Sequence, residues 1–170
     1  DAGGEVYRHH PGHITLAAGT GSGTPISPPS EYVVQSGDIV RMDLGAIYEG
    51  YTSDIARVGT VGQPSEKATE YYSVVREAQQ AMLGQIKPGT PASDIFETGQ
   101  RYVQEHGFPD FERGVLGHGV GLQNHEPPYI GPNNDWKLEP GMVLAVELPY
   151  YVEGWGGFNV EDVCLVTETD

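Results

Sequence analysis

Four acidic residues lie inside runs that are otherwise apolar and rich in strand-forming residues. Asp43 and Asp54 belong to the segments VRMDLGAI and SDIARV, and Glu147 and Glu161 belong to LAVELPYY and FNVEDVCLV. An unpaired carboxylate in an apolar strand is costly, and two that face each other repel. A divalent cation held between them removes both penalties, so the pattern predicts a metal site. The alternative is that the strands are half exposed and the acids face water.

The first pair of acids comes together if its segment forms a tight hairpin. A two-residue turn at Glu49-Gly50 places Asp43 opposite Ala56 on the neighbouring strand. Asp54 is then the diagonal neighbour of Asp43 on the same face of the sheet. Both carboxylates could therefore reach a single point above the hairpin.

The second pair gives the same result when the last two strands are joined by a five-residue loop over residues 153–157. Val163 then lies opposite Glu147, and Glu161 is the diagonal neighbour on the same face. Two hairpins with the same arrangement of acids favour the metal site over the solvent-facing alternative.

Two histidines lie seven residues apart in the glycine-rich segment GVLGHGVGLQNHEPP. His118 is flanked by glycines, which let a backbone approach a ligand closely, and His125 precedes a double proline. Four carboxylates with one imidazole would form an oxygen-rich site that suits Mn(II), Fe(II), Co(II) or Zn(II). Two such ions carry four positive charges, which balance the four carboxylates.

The elements that must position these residues follow the order strand–strand, helix–helix, strand–strand. A helix is predicted from Ser65 to about Ile86, where Lys87-Pro88-Gly89 ends it, and a second from about Pro91 to His106. A short strand is possible at His13–Ala18. This order predicts an α+β domain in which an antiparallel sheet carries helices on one face. The candidate core residues are Ile39, Val40, Met42, Val143, Leu144, Val146, Val163 and Leu165.

Composition narrows the possible functions. The 170 residues include 9 basic and 24 acidic side chains, for a net charge of −15, which argues against binding to nucleic acid or to an anionic membrane surface. No apolar run has the length of a membrane span. No secretory pattern is present, and we expect a cytoplasmic protein. The single cysteine, Cys164, excludes an internal disulfide and a cysteine-based zinc finger.

These motifs, in this order, resemble the metallopeptidase family with the pita-bread fold, which includes methionine aminopeptidases, aminopeptidase P and prolidases. The segments that carry the resemblance are MDLGAIYEGYTSDIAR, GHGVGLQNHE, LEPGMVLAVE and VEDVCLVTE, between about Gly37 and Glu168. The 14-residue gap from Glu147 to Glu161 is similar to that of the proline-specific branch. The resemblance implies a curved antiparallel sheet with helices packed on its outer face.

The resemblance also implies a role for each matching residue. It implies a dinuclear site for two divalent ions (Mn, Co, Zn or Fe) whose ligands are Asp43, Asp54, His118, Glu147 and Glu161. Glu147 would also be the general base that takes a proton from the metal-bridging water, and the resulting hydroxide would cleave a peptide or amide bond. His125 would contact the substrate and steady the tetrahedral intermediate, and Tyr151 would lie beside the substrate.

The sequence departs from the family at three positions that handle substrate. Ile26 stands where the family has a histidine, Gly114 where the proline-specific branch often has a histidine, and Asn159 where an arginine is usual. We therefore expect weak or absent cleavage of Xaa-Pro peptides, increased by Ile26→His. The local candidates to replace the absent histidine are His9, His10 and His13.

Two other functions remain open on this fold. One is a non-peptidase enzyme similar to creatinase, ectoine hydrolase or dimethylsulfoniopropionate lyase, and the other is a non-catalytic binding module. We expect residues 1–170 to be a single but incomplete catalytic domain without the N-terminal domain of the family. The expected partners are a small peptide or small-molecule substrate and, in the full-length protein, a second copy in a homodimer.

Overall fold

A computed structural model describes residues 12–169 of the chain. His9 and His10, two of the candidate compensating histidines, lie outside the described residues. The strands are β1 (Ile14–Ala18), β2 (Ile39–Leu44), β3 (Ile47–Tyr48), β4 (Tyr51–Thr52), β5 (Ile55–Thr60), β6 (Gly117–Gly119), β7 (Glu126–Tyr129), β8 (Val143–Val152) and β9 (Gly156–Leu165). The helices are α1 (Glu66–Leu83) and α2 (Ala92–Glu105), and a 3-10 turn follows β1 at Gly19–Gly23.

Seven of the strands form one sheet in the order β1-β2-β5-β9-β8-β6-β7, and β3 and β4 form a separate two-stranded ladder. Every strand pair in the described residues is antiparallel. Helix α1 packs against β8 and β9, and α2 packs against α1. The architecture is therefore the α+β arrangement predicted from the order of elements.

The two helices lie where the sequence pattern predicts them. Ser65 caps α1, because its side-chain oxygen accepts a hydrogen bond from the backbone N–H of Ala68. The predicted C-terminal end is too late, since α1 ends at Leu83 and Ile86 lies beyond it, although Ile86 is still buried. Neither helix has the length and apolar character needed to cross a membrane, and this holds for all helices within residues 12–169.

Strands β6 and β7 are not predicted by the sequence pattern. They consist of GHG and EPPY, and glycine and proline are poor strand formers. Tertiary pairing overrides this preference: β6 is held between β7 and β8, and β7 is the edge strand, where prolines are tolerated.

The core prediction is correct for some of the predicted residues and wrong for others. Ile39, Leu144 and Val146 are buried, and Val40 and Met42 are half buried. In contrast, the predicted core residues Val143, Val163 and Leu165 are exposed. The reason is strand alternation, because these three side chains lie on the opposite face of the sheet from Leu144 and Val146, which point towards α1.

Candidate metal centre

The first hairpin has the predicted register. Its turn residues Glu49 and Gly50 have φ values of 49° and 87°, the left-handed conformations that a two-residue hairpin turn requires. Tyr48 pairs with Tyr51 in the short β3–β4 ladder, and Asp43 pairs with Ala56 where β2 meets β5. Asp54 directly precedes β5 and is 3% exposed.

The second hairpin differs from the prediction by two residues. Its loop has three residues rather than five, since Val152 pairs with Gly156. Glu147 therefore lies directly opposite Glu161, and not opposite Val163. A shift of two residues leaves every side chain on its predicted face, because the side-chain period of a strand is two. The two glutamates are consequently closer partners than the sequence suggested.

The two hairpins meet through a single row of residues across the sheet. Asp43 pairs with Ala56, Ala56 with Glu161, and Glu161 with Glu147. Residues directly opposite each other on antiparallel strands point to the same side, so the three acids share one face. Ala56 is fully buried and contributes only a methyl group between the acids.

The fifth predicted residue reaches this face from β6. His118 pairs with Ala145, which precedes Glu147 by two residues and so shares its face. The Nδ1 atom of His118 lies 3.1 Å from the carbonyl oxygen of Gly119, to which an Nδ1–H group would donate. This tautomer leaves the lone pair of Nε2 free. That atom lies 3.8 Å from Oδ2 of Asp54 and 3.9 Å from Oε1 of Glu161.

The electrostatic state of these side chains matches an ion-binding site. Burial lowers the pKa of His118 to about 4, so the imidazole is neutral at pH 7 and able to coordinate. Burial also raises the pKa of Asp54, Glu147 and Glu161, and neighbouring carboxylates raise the pKa of each further. The site therefore disfavours negative charge unless a cation balances it.

The donor atoms are close enough to share divalent ions. Each of two groups has ligand atoms within 4.8 Å of one another: His118, Glu147 and Glu161 form the first, and His13, Asp43 and Asp54 the second. Oδ1 of Asp54 is buried and has no hydrogen-bond partner within the described residues. A buried carboxylate oxygen without a donor is costly, and a bound cation would satisfy it. The residues present thus fit a centre for one or two divalent ions.

Three polar residues that support the acids were not predicted in that role. Nδ2 of Asn124 donates to Oδ2 of Asp54 at 3.0 Å, and Nδ2 of Asn159 donates to Oε2 of Glu147 at 3.0 Å. Nε2 of His13 lies 2.8 Å from Oδ1 of Asp43. These contacts are long-range, so no local sequence pattern indicates them, although Asn124 directly precedes the predicted site residue His125.

The two residues predicted to handle substrate lie at the edge of the site. His125 is exposed, and its ring lies 3.9 Å from that of His118, measured between centroids. Tyr151 shares the face of Glu147, four residues further along β8. Two guanidinium groups lie near its ring, with Cζ of Arg41 5.0 Å and Cζ of Arg113 5.3 Å from the ring centroid.

The remaining departures from the family pattern lie in exposed positions. Ile26 is 85% exposed, and the carbonyl oxygens of the two preceding residues, Thr24 and Pro25, accept hydrogen bonds from Nη2 of Arg41. Gly114 is also exposed, and a side chain built there would meet no atom within 4 Å. Neither position is needed to pack the fold around the acids.

Comparison with known proteins identifies relatives of similar sequence. An Xaa-Pro dipeptidase from Pyrococcus furiosus is 39% identical over 153 residues, which are 90% of this chain and 44% of the relative. An Xaa-Pro dipeptidase from Pyrococcus horikoshii is 37% identical over the same proportions. The chain therefore spans less than half the length of the curated relatives it matches.

Solved structures share the fold. Prolidase from Thermococcus sibiricus superposes with a TM-score of 0.88 at 34% identity, over 92% of this chain and 43% of that one. An X-Pro aminopeptidase from Thermotoga maritima gives 0.87 at 36% identity, over 92% and 44%. The fold is accordingly the pita-bread fold. The family model for metallopeptidase family M24 matches residues 2–168, and the chain therefore belongs to that family.

Proposed function

We propose that this chain is part of a dinuclear metal-dependent hydrolase that removes an N-terminal residue from Xaa-Pro peptides, with dipeptides as the first substrates to test. The observation that carries the proposal is the row of Asp43, Glu161 and Glu147 across one sheet face, with Asp54 and His118 beside it. The relatives named Xaa-Pro dipeptidase support the choice of substrate.

The five converging side chains would hold the ions. The carboxylate oxygens would come from Asp43, Asp54, Glu147 and Glu161, and His118 would supply its free Nε2. Two divalent ions, of which Mn(II), Co(II), Zn(II) or Fe(II) would suit these donors, supply Lewis-acid polarisation of the scissile carbonyl and an activated water. Side chains of the protein would carry out the proton transfer and position the substrate.

Glu147 is placed to move the proton. Asn159 donates a hydrogen bond to Oε2 of Glu147, which leaves Oε1 free to accept a proton and later deliver it to the leaving nitrogen.

His125 and Tyr151 would position the substrate. His125 is exposed above the ring of His118, where it can donate a hydrogen bond to oxygen of the reacting carbonyl. Arg41 and Arg113 both lie near the ring of Tyr151, so this end of the site is cationic and would favour a substrate that carries a carboxylate.

Turnover of a small substrate panel tests the proposal. The purified protein would be loaded with Mn(II) and given Ala-Pro, Ala-Ala and Ala-Pro-Ala, together with an amidine and a sulfonium compound. We expect weak cleavage of the Xaa-Pro bond, since Ile26 stands in place of the family histidine, and we expect this cleavage to be lost with chelator and in Glu147→Gln. Turnover of the amidine or sulfonium compound in place of the peptides would instead favour the non-peptidase enzymes of this fold.

A further inference from the structure

One histidine outside the five expected ligands touches both aspartates. Nε2 of His13 lies 2.8 Å from Oδ1 of Asp43 and 3.0 Å from Oδ1 of Asp54. His13 directly precedes β1, whose Thr15 pairs with Asp43, so the imidazole stands on the same sheet face as the acids.

A hydrogen bond explains only one of these two contacts. An imidazole nitrogen carries at most one hydrogen, and the contact to Asp43 is the one that has hydrogen-bond geometry. Within residues 12–169, Oδ1 of Asp54 has no hydrogen-bond partner, although it is buried and lies 3.0 Å from the same nitrogen. The unsatisfied oxygen indicates a further group that is bound by all three side chains, His13, Asp43 and Asp54.

The distances match those between neighbouring ligands of one ion. Atoms that bind an octahedral divalent ion at about 2.1 Å and at right angles lie about 3.0 Å apart. The contacts of His13 have this length. The fold also makes room for the ring, because a Cβ on Gly45 would lie 2.4 Å from Nδ1 of His13, and the backbone N–H of Gly45 donates to the His13 carbonyl oxygen.

We propose that His13 is a further metal ligand, which binds through Nε2 the ion held by Asp43 and Asp54. The inference rests on the proposed function, since it needs that ion. It adds a nitrogen donor to the group that His13 forms with Asp43 and Asp54, whose other ligand atoms are carboxylate oxygens. One ion would then be bound through His13 and the other through His118, which lies among Glu147 and Glu161.

Calorimetric Mn(II) binding to the purified full-length protein tests this assignment, with His13→Ala and His13→Gln as variants. Glutamine can still donate a hydrogen bond to Asp43, but it is a poor ligand for these ions. A role limited to that hydrogen bond would therefore be rescued by Gln, whereas a ligand role would not. His106→Ala is the matched control, because His106 is exposed at the end of α2 and contacts the Tyr102 carbonyl oxygen.

We expect the wild type and His106→Ala to bind two ions, and both His13 variants to bind one of the two at least about tenfold more weakly. Pulsed electron paramagnetic resonance of the Mn(II) protein should detect two coordinated histidine nitrogens in the wild type and one in each His13 variant. Equal or tighter binding by His13→Ala, or rescue by Gln, would overturn the His13 assignment alone. A wild type that binds no ion would overturn the proposed function as well.

Discussion

Glu147 and Glu161 stand directly opposite each other across the β8–β9 ladder, with Asn159 holding one oxygen of Glu147. Without a cation, two facing carboxylates in a buried position repel, and burial together with Glu147 raises the pKa of Glu161. The same pair becomes favourable when a divalent ion lies between them. The facing carboxylates therefore destabilise the ion-free protein and increase its affinity for the ion.

The repulsion between Glu147 and Glu161 predicts that one substitution has opposite effects on the ion-free and the ion-bound protein. We expect Glu161→Gln to stabilise the ion-free protein by about 1–3 kcal/mol, because it removes a buried carboxyl that the folded protein holds protonated at a free-energy cost at neutral pH. The same change should abolish the metal-dependent rise in melting temperature. Thermal unfolding with chelator and with Mn(II) measures both effects. Glu97→Gln, an exposed position on α2, serves as the control and should change neither.

The stability of the ion-free protein should fall as the pH rises. The raised pKa values of Asp54, Glu147 and Glu161 mean that the folded state binds these protons more tightly than the unfolded state does. Stability is then greatest below the unfolded pKa of about 4 and is lost as the pH passes upward towards the folded values. Asp162 and His118 have lowered pKa values and act in the opposite sense. The contribution of Asp162 is complete by pH 5, and that of His118 ends near its unfolded pKa of about 6.5, so the two raised glutamates outweigh them across the range.

Urea unfolding at pH 5, 6.5 and 8 checks this dependence. We expect the midpoint in chelator to decrease across the series, and the gain in midpoint on adding Mn(II) to increase, because ions bind the deprotonated ligands. A midpoint in chelator that rises from pH 5 to pH 8 would show that the carboxylates are already balanced by other groups.

Asn124 should tune metal affinity without binding metal itself. Its Nδ2 donates to Oδ2 of Asp54 and fixes the orientation of that carboxylate. We expect Asn124→Ala to weaken ion binding about 10–100-fold, the usual cost of losing such a support. Gln123→Ala is the matched control, since Gln123 contacts the loop through backbone atoms and its side chain is exposed. Equal ion affinities of the two variants would show that Asn124 does not support the metal site.

Substitution of Ile26 tests whether the absence of the family histidine at this position limits turnover. The sequence predicts weak cleavage of Xaa-Pro peptides, because isoleucine cannot take part in proton transfer, a contribution typically worth about 10²–10⁴ in rate. We expect Ile26→His to increase turnover, and the exposed position of Ile26 means that the fold should tolerate the change. Steady-state kinetics on Ala-Pro measures this. Wild-type turnover that histidine fails to improve would show that another group already does this work.

The sequence predicted the parts of the site that depend on strand period and on short turns. The Asp43–Ala56 register was correct because the two-residue turn at Glu49-Gly50 admits a single alignment. The second register was wrong because a loop with glycines at 154, 156 and 157 is compatible with several lengths, and only packing of the two strands selects one.

Contacts between distant segments were beyond the reach of local patterns. His13 approaches the acids only because β1 pairs with β2 in one register, and Asn159 reaches Glu147 only through the three-residue loop. The exposed Val143 and Val163 were assigned to the core because apolar type alone does not reveal which sheet face the helices cover.

The central claim is that the sheet face with Asp43, Glu147 and Glu161 holds two ions that the hydrolytic reaction requires. The most direct measurement is Ala-Pro turnover by exhaustively chelated protein as Mn(II) is added back in known molar equivalents. The account predicts no turnover without metal and a rise that levels off at two equivalents per chain. Turnover that persists after complete chelation, or no recovery at any level of Mn(II), Co(II) or Zn(II), would contradict it.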